Sequence, residues 1–408
     1  MQHTETVKLP WYKKVNWPNT LFLVGTPLAA ITLTPIHVSL YGLSWGLVVF
    51  FFTYGMLTNL AVTAGYHRLF AHRSYDVSPV IKWLYLIVGA GAVQGSVLQW
   101  ASDHRRHHRE VDTNSDPYSI KKGFFYAHIG WLFIKDDPIY KDKFSPDLLA
   151  DKAIMWQHNH YYPLAMFMSF GFPTLVGWAM GNPWGGLIIG GVLRIVFTQH
   201  CTFFINSLCH MIGKQPYNDK NSAKDNFFLA IFTCGEGYHN FHHRFASDYR
   251  NGVRWWQWDP TKWWIQSLAF LGLAYRLKRV SSWEILRARL AQQQKQLLSR
   301  GVPAETINAL KTKMEEAQAR MRTLKDDYRK LKASMQAQSR RHMLHLKAEL
   351  KVAKLEFRMA RAQWGAYFKT FMLSFRRSAV GHNLSLFVLR SLLRRDRAEM
   401  PPSARYEI

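Results

Sequence analysis

The sequence predicts an all-α integral membrane fold: four transmembrane helices beneath a cytoplasmic helical cap that holds a histidine metal site, followed by a C-terminal coiled-coil helix. Three observations carry this. Val15 to Tyr66 contains no Asp, Glu, Lys or Arg, and Pro163 to Ile212 contains only Arg194. Eight of the 18 histidines sit in three tight boxes. Beyond about Ser281 the apolar runs give way to a charged sequence with heptad spacing.

A crossing helix needs roughly 20 apolar residues. The first uncharged stretch therefore holds two spans, near Leu21–Ile36 and Leu43–Ala64, joined by a turn around Ser39–Gly42. The second holds two more, joined by Gly181-Asn182-Pro183-Trp184-Gly185. A further stretch, Trp83–Ser102, is long enough to cross but carries Gln94, Gln99 and several glycines. Parity decides its role. The histidine boxes follow the second span, this stretch and the fourth span. They share one side only if the stretch lies along the interface or dips back. Four crossings then leave both termini on that same side. Lys8, Lys13 and Lys14 precede the first span, and basic residues crowd 103–152 and the C-terminus, whereas the opposite turns are uncharged. By the positive-inside rule the shared side is cytoplasmic.

The balance of 53 Lys+Arg against 27 Asp+Glu, +26, implies an anionic partner: lipid headgroups, a phosphate-bearing substrate or nucleic acid. Cys201, Cys209 and Cys234 have no CxxC spacing, which argues against a zinc ribbon or a disulfide framework and fits a reducing compartment. The N-terminus shows no short apolar core with a small-residue cleavage site, so no removable signal peptide is expected.

The boxes are His67-Arg-Leu-Phe-Ala-His72, His104-Arg-Arg-His107-His108 and His239-Asn-Phe-His242-His243. Spacings of three and four put the histidines of the second and third boxes on single helical faces. Imidazole suits iron, copper, zinc and nickel. Eight exceed what one tetrahedral zinc uses, so the count favours a two-metal centre, and the scarcity of carboxylates separates it from Glu-x-x-His bundles. His210 is a ninth candidate, four residues after Asn206 and on the same face.

These motifs resemble those of the membrane fatty acyl desaturases, closely the stearoyl-CoA type in a bacterial form with a C-terminal extension. The resemblance runs from about Asn16 to Val280. It rests on Thr63-Ala-Gly-Tyr-His67 through Tyr75, Trp100-Ala-Ser-Asp-His104 through His108, Gly123-Phe-Phe-Tyr-Ala-His128-Ile-Gly-Trp131, Asn206-Ser-Leu-Cys-His210 and Gly235-Glu-Gly-Tyr-His239 through His243, in the family's order. It implies two iron ions held by His67, His72, His104, His107, His108, His210, His239, His242 and His243, with Asn206 acting through a bound water. No catalytic group beyond the metal centre is implied. Gln94 and Trp100 fall where relatives line the substrate tunnel, although a helix cap and an interfacial anchor are blander roles for them. The implied activity is oxygen-dependent insertion of a cis double bond, at carbon nine, into a saturated long-chain acyl-CoA. Desaturation of lipid-linked chains, hydroxylation by a related di-iron enzyme, and a non-catalytic membrane scaffold are the alternatives.

Expected partners are long-chain acyl-CoA, dioxygen, membrane lipid and a separate electron donor of ferredoxin, flavoprotein or cytochrome b5-like type, since no His-Pro-Gly-Gly heme-binding stretch is present. The expected setting is a bacterial inner membrane with a cytoplasmic active site. Asp103, Asp112, Asp116 and Glu236 are candidates to orient the imidazoles, or else plain surface or capping residues. Arg68, Arg73, Lys121 and Lys122 are candidates to meet coenzyme A phosphates or lipid headgroups. Ser102 stands where some relatives carry an arginine near coenzyme A, so individual contacts there do not transfer. His128 reads as structural or headgroup-facing.

The predicted organisation is a desaturase domain over 1–280, a linker over 281–302, a coiled coil over 303–370 and a basic amphipathic tail over 371–408. From Ser281 onward 27 Lys+Arg face 11 Asp+Glu, so 27 − 11 = +16 of the total charge lies there. Pro303 and Glu305 mark a helix start. One seam runs through Leu310, Met314, Ala317, Met321, Leu324, Tyr328, Leu331 and Met335, a second through Leu346, Leu350, Ala353, Phe357, Ala360, Trp364 and Tyr367. They suit either a homodimer or a hairpin broken near Ser339. The tail Phe371–Arg397 suits a membrane surface. The membrane setting and the lack of a recognised module argue against nucleic acid, and a solvated charged helix is the bland alternative for the whole appendage.

Overall fold

A computed structural model describes residues 10–135, 145–333 and 340–378. Lys8, the hairpin break near Ser339 and the tail beyond Ser378 lie outside the described residues. Two compact units divide the chain, Met1–Arg289 and Leu290–Ile408.

The first unit is mostly helical, and three of its helices are long and apolar enough to cross a membrane: Trp17–Tyr41, Trp45–Ala71 and Pro183–Met211. Their ends follow from local chemistry. Asn16 caps the first through the backbone N–H of Asn19, Pro18 stands in its first turn, and Gly42, at φ 71°, ends it. Ser44 caps the second through Leu47 N–H. Only 17% of the apolar window in Trp17–Tyr41 is buried within the protein. Leu21, Val24, Leu28, Ile31 and Leu40 point outward along it. Water disfavours such a surface and lipid does not, so this is a membrane-facing helix.

Arg194, the one charge in the second apolar stretch, is fully buried. Its Nε donates to Gly190 O at 2.9 Å and its Nη1 to Gly91 O at 2.9 Å, and the guanidinium lies 4.7 Å from the Tyr54 ring centre. Carbonyl and π acceptors take the place of a carboxylate.

The stretch Trp83–Ser102 does not form one long helix. Pro79–Ala90 has 12 residues, too few to cross. The chain then breaks, with Val93 and Gly95 at φ 52° and 91°. It restarts at Ser96, which forms a capping box with Gln99 and opens Val97–Glu110. Pro79–Ala90 packs on the second crossing helix through a reciprocal fit. Tyr85 lies where a Cβ on Gly65 would be, 2.7 Å away, and Tyr66 occupies the same place at Gly89, 2.5 Å away. An antiparallel pair of short strands, Asp76–Val77 with Ala274–Tyr275, ties the start of this region to the C-terminal part of the unit.

In the second unit Ala304–Ala333 and Arg340–Ser378 run antiparallel. Arg320 meets Glu356 at 3.3 Å, and Arg300, before the first of these helices, sits beside Met372 near the end of the second. Met314 of the first predicted seam and Leu346, Leu350, Ala353, Ala360 and Trp364 of the second are buried, and Trp364 Nε1 donates to Gln293 on the helix Ser282–Leu298. The division between the units falls within the helix Ser282–Leu298.

Candidate metal centre

The lower end of the second crossing helix is not an α-helix. Ala61–Ala71 is π-helical, and the amide of His72 bonds back to His67 O at 3.0 Å. In an α-helix residues five apart point about 140° away from each other; the wider i→i+5 winding stacks them. His67 and His72 thereby reach one side, with ring centres 4.8 Å apart. Val97–Glu110 presents His104, His107 and His108, and the short helix His239–Arg244 presents His239, His242 and His243. His210 arrives on Leu208–Met211, after the third crossing helix bends at Ser207.

All nine predicted histidines converge, in two groups: His67, His72, His104, His108 and His242, and His107, His210, His239 and His243. Within each group the ligand atoms lie within 4.8 Å of one another. The rings meet through Nε2. His67 faces His242 at 3.0 Å, His72 faces His104 at 2.8 Å and His108 faces His242 at 2.9 Å. In the second group His239 faces His210 and His243, each at 3.0 Å, and His107 faces His243 at 3.3 Å.

Four of the Nδ1 atoms point outward to partners, whereas His239 Nδ1 is buried without one. His67 Nδ1 is 3.0 Å from Glu236 Oε2, and His107 Nδ1 is 2.9 Å from Asp116 Oδ1. His210 Nδ1 is 2.7 Å from Ser222 Oγ, and His104 Nδ1 is 3.3 Å from the Tyr118 hydroxyl. Burial would raise Glu236, but His67 and Arg68 outweigh it and hold the carboxyl below its usual range. An ionised carboxylate only accepts, so His67 Nδ1 donates to it. Burial first, then neighbouring imidazoles, push His72, His104, His108, His239, His242 and His243 well below the ordinary histidine value, so they are neutral at pH 7. Nε2 atoms of several imidazoles meeting across about 3 Å have the spacing of ligands around a shared cation. The donor set therefore fits metal in both groups.

Arg68 is not a headgroup contact. It is buried behind the first group, with Nη2 2.9 Å from Glu236 Oε1 and 3.0 Å from Asp259 Oδ1, and Nη1 2.7 Å from Tyr249 O. Arg73 pairs with Asp147, while Lys121 and Lys122 are exposed. His128 bonds His200 and Ser207, away from the two groups. Of the candidate carboxylates, Glu236 and Asp116 contact histidine directly, Asp112 reaches one through Ser222, and Asp103 lines a cavity.

That cavity, about 610 Å3, runs along the metal-site histidines. His67, His104, His239 and Glu236 form part of its wall, with Asn206, Gln94 and Trp100 nearby. Apolar Phe22, Leu23, Val62, Ala165, Met166 and Phe170 line the rest, and Asn16, Asn19, Trp131 and Lys135 belong to the same wall. Trp100 Nε1 donates to Gln94 Oε1 at 3.2 Å, and Gln94 Nε2 donates to Thr202 at 2.9 Å. Thr202, Tyr118, Ser222 and Lys135 were not anticipated from sequence. Asp259 had a signal: Asp-Pro is a helix start, and its side chain accepts from Lys262 N–H.

Three helices long and apolar enough to cross a membrane, together with two largely buried multi-histidine clusters that could hold metal, define a membrane protein with a candidate metal centre. Residues 43–279 match the Fatty acid desaturase family, and the chain belongs to that family. It is similar to a "Probable acyl-CoA desaturase" of Schizosaccharomyces pombe, 41% identical over 73% of this chain and 63% of that protein. "Acyl-CoA desaturase 1" of Saccharomyces cerevisiae is 41% identical over 70% of this chain and 56% of its own length. Human "Stearoyl-CoA desaturase" is 36% identical over 66% and 76%. The chain thus spans about six-tenths of the two yeast proteins.

Proposed function

We propose that this protein is an oxygen-dependent acyl-CoA desaturase that places a cis double bond at carbon nine of a saturated long chain. The observation that carries the reading is the convergence, as two clusters, of nine histidines, three of which, His67, His104 and His239, line one largely apolar cavity. His67, His72, His104, His108 and His242 would hold one iron ion. His107, His210, His239 and His243 would hold the other, with Asn206 placed for a water on it. The iron pair, when bound, supplies dioxygen activation and removal of hydrogen from an unactivated methylene.

The chain's own part is placement and exclusion of water. The Trp100–Gln94–Thr202 hydrogen bonds fix the cavity wall beside His104 and His67, and so fix which carbons lie against the histidines. Lys135, Asn16 and Asn19 offer polar contacts for the coenzyme A end. The helical run Tyr161–Met166, Phe167–Gly171 and Phe172–Ala179 is uncharged and supplies the fourth crossing, which leaves the histidine side cytoplasmic. His72, His108 and His243 are the partly exposed members of the set, and each is followed by an exposed arginine, Arg73, Arg109 or Arg244. This basic edge suits an acidic, separate electron donor. Residues 1–280 act as the desaturase domain, and the coiled-coil hairpin is its appendage. A homodimer through that appendage would use the outward face of Arg340–Ser378, where Leu344, Val352, Leu355 and Met359 are exposed.

The test is gas chromatography–mass spectrometry of cellular lipids with and without the protein. The expected result is a gain of chains unsaturated at carbon nine that His107→Ala abolishes. Products that are only hydroxylated, or no change with iron-loaded protein, overturn the proposal.

A further inference from the structure

The four-histidine cluster depends on one short turn. His107 lies on a regular helix, but His210 follows the irregular residue Ser207, at φ −103° and ψ −73°, on a helix of only four residues. Its ring direction is therefore set by what meets its outer nitrogen. That partner is Ser222, from the loop before Asp225, with Oγ 2.7 Å from His210 Nδ1.

A serine hydroxyl has one hydrogen, and here its destination is fixed. Ser222 Oγ is 2.6 Å from Asp112 Oδ1, within the range of a hydroxyl bonded to a carboxylate. Ser222 N–H donates to the other oxygen of the same group at 2.7 Å. Asp112 thus grips both the backbone and the hydroxyl of Ser222. With its proton on the carboxylate side, Oγ presents only lone pairs to His210. Nδ1 must carry the imidazole proton, and Nε2 faces His239 with its lone pair.

Asp112 is itself held in an uncommon state, at φ 63°, the left-handed region that Asp adopts more readily than most residues. Its N–H donates to Asp116 Oδ2 at 3.0 Å, and Asp116 Oδ1 bonds His107 Nδ1 at 2.9 Å. One continuous network therefore runs His107–Asp116–Asp112–Ser222–His210. Both its ends belong to the same cluster.

We infer that the turn from Val111 to Asp116 is a single brace for the four-histidine cluster, in which Asp116 orients His107 directly and Asp112 orients His210 through Ser222. Asp112 and Ser222 are positioning residues. The inference rests on the two-metal reading above. Removing such outer partners typically weakens metal holding about 10- to 100-fold, and here the loss falls on one metal of the two.

The experiment is iron analysis of the purified full-length protein, with the rate of iron release to a chelator and a melting curve. Wild type is expected to carry two irons. Ser222→Ala is expected to carry close to one, or to release one of two about 10- to 100-fold faster, while melting cooperatively. Ser222→Thr, which keeps the hydroxyl, restores the second iron. Asp112→Gly keeps the left-handed turn but removes the carboxylate, and is expected to match Ser222→Ala. Ser222→Ala with two irons and unchanged release overturns the brace, as does equal loss of both irons without rescue by threonine. Wild type holding fewer than two metals overturns the two-metal reading instead.

Discussion

Replacing Arg68 with methionine tests the buried framework on which the five-histidine cluster stands. The guanidinium is about 1% exposed and makes five hydrogen bonds: two to Glu236, two to Asp259 and one to Tyr249 O. Methionine fills similar volume but leaves two buried carboxylates without their cation. Breaking a buried pair in this way costs about 3–5 kcal/mol, most of it from the uncompensated charge. At roughly 2 °C per kcal/mol for a chain of this size, the melting temperature should fall by about 6–10 °C. Glu236 also fixes His67, so iron should be lost from the five-histidine cluster as well. The assay is thermal unfolding of the detergent-solubilised protein beside its iron content. Neutralising the stranded acids should recover part of the loss. Asp259→Asn keeps a side-chain oxygen for Lys262 N–H, and Glu236→Gln keeps one for His67, so the triple variant should melt above Arg68→Met alone. An Arg68→Met protein that melts within a degree of wild type, or a triple variant no better than the single, refutes the charge argument.

Thr202→Val leaves the Gln94 amide without its acceptor, at about 1–3 kcal/mol; turnover should drop roughly fivefold or more and the double bond should spread over neighbouring positions on mass spectrometry, whereas an unchanged single position would exclude the wall from positioning. Gly65→Ala drives a Cβ to within 2.7 Å of Tyr85 Cβ, and should lower stability by about 1–3 kcal/mol, read as a lower melting temperature. Burial pushes the Asp225 carboxyl up to about 7 despite the backbone N–H groups of Phe241 and Asn240. Because its folded value is raised above 3.8, its stabilising contribution is complete below 3.8 and is lost as pH rises through about 7. Asp225→Asn escapes that loss, so its melting temperature relative to wild type should climb between pH 5 and pH 8; a constant difference would count against the raised carboxyl.

How much of this could be read from the sequence depended on whether the geometry was local. Boxes two and three were legible because spacings of three and four are helix-face spacings, and both form helices. The interruption at Gly91–Gly95 was hinted at by Gln94 and the glycines, but it was the parity of the histidine boxes that argued against a crossing there. Ser222, Thr202 and Tyr118 were not legible: each is chemically ordinary, and two of them reach the site from over 100 residues away in the chain, Thr202 to Gln94 and Ser222 to Asp112. Arg68 showed its charge but not its direction, because Glu236 and Asp259 lie 168 and 191 residues further on.

Box one is the instructive case, since its spacing of five fits neither helix nor strand periodicity. An α-helical continuation of the second crossing helix would turn His72 away from His67, and the five-histidine group could not close. The π-helical segment supplies the turn, and it begins at Ala61, within the apolar part of the helix rather than at the histidines. Its 11 residues are all buried, and Gly65 within them admits the Tyr85 ring. Tertiary packing therefore holds the wider winding that local propensity does not favour. That places the origin of the first cluster's geometry in the fit of Pro79–Ala90 against the crossing helix. It also explains why the motif alone, with two histidines five apart, identified the residues without revealing how they meet.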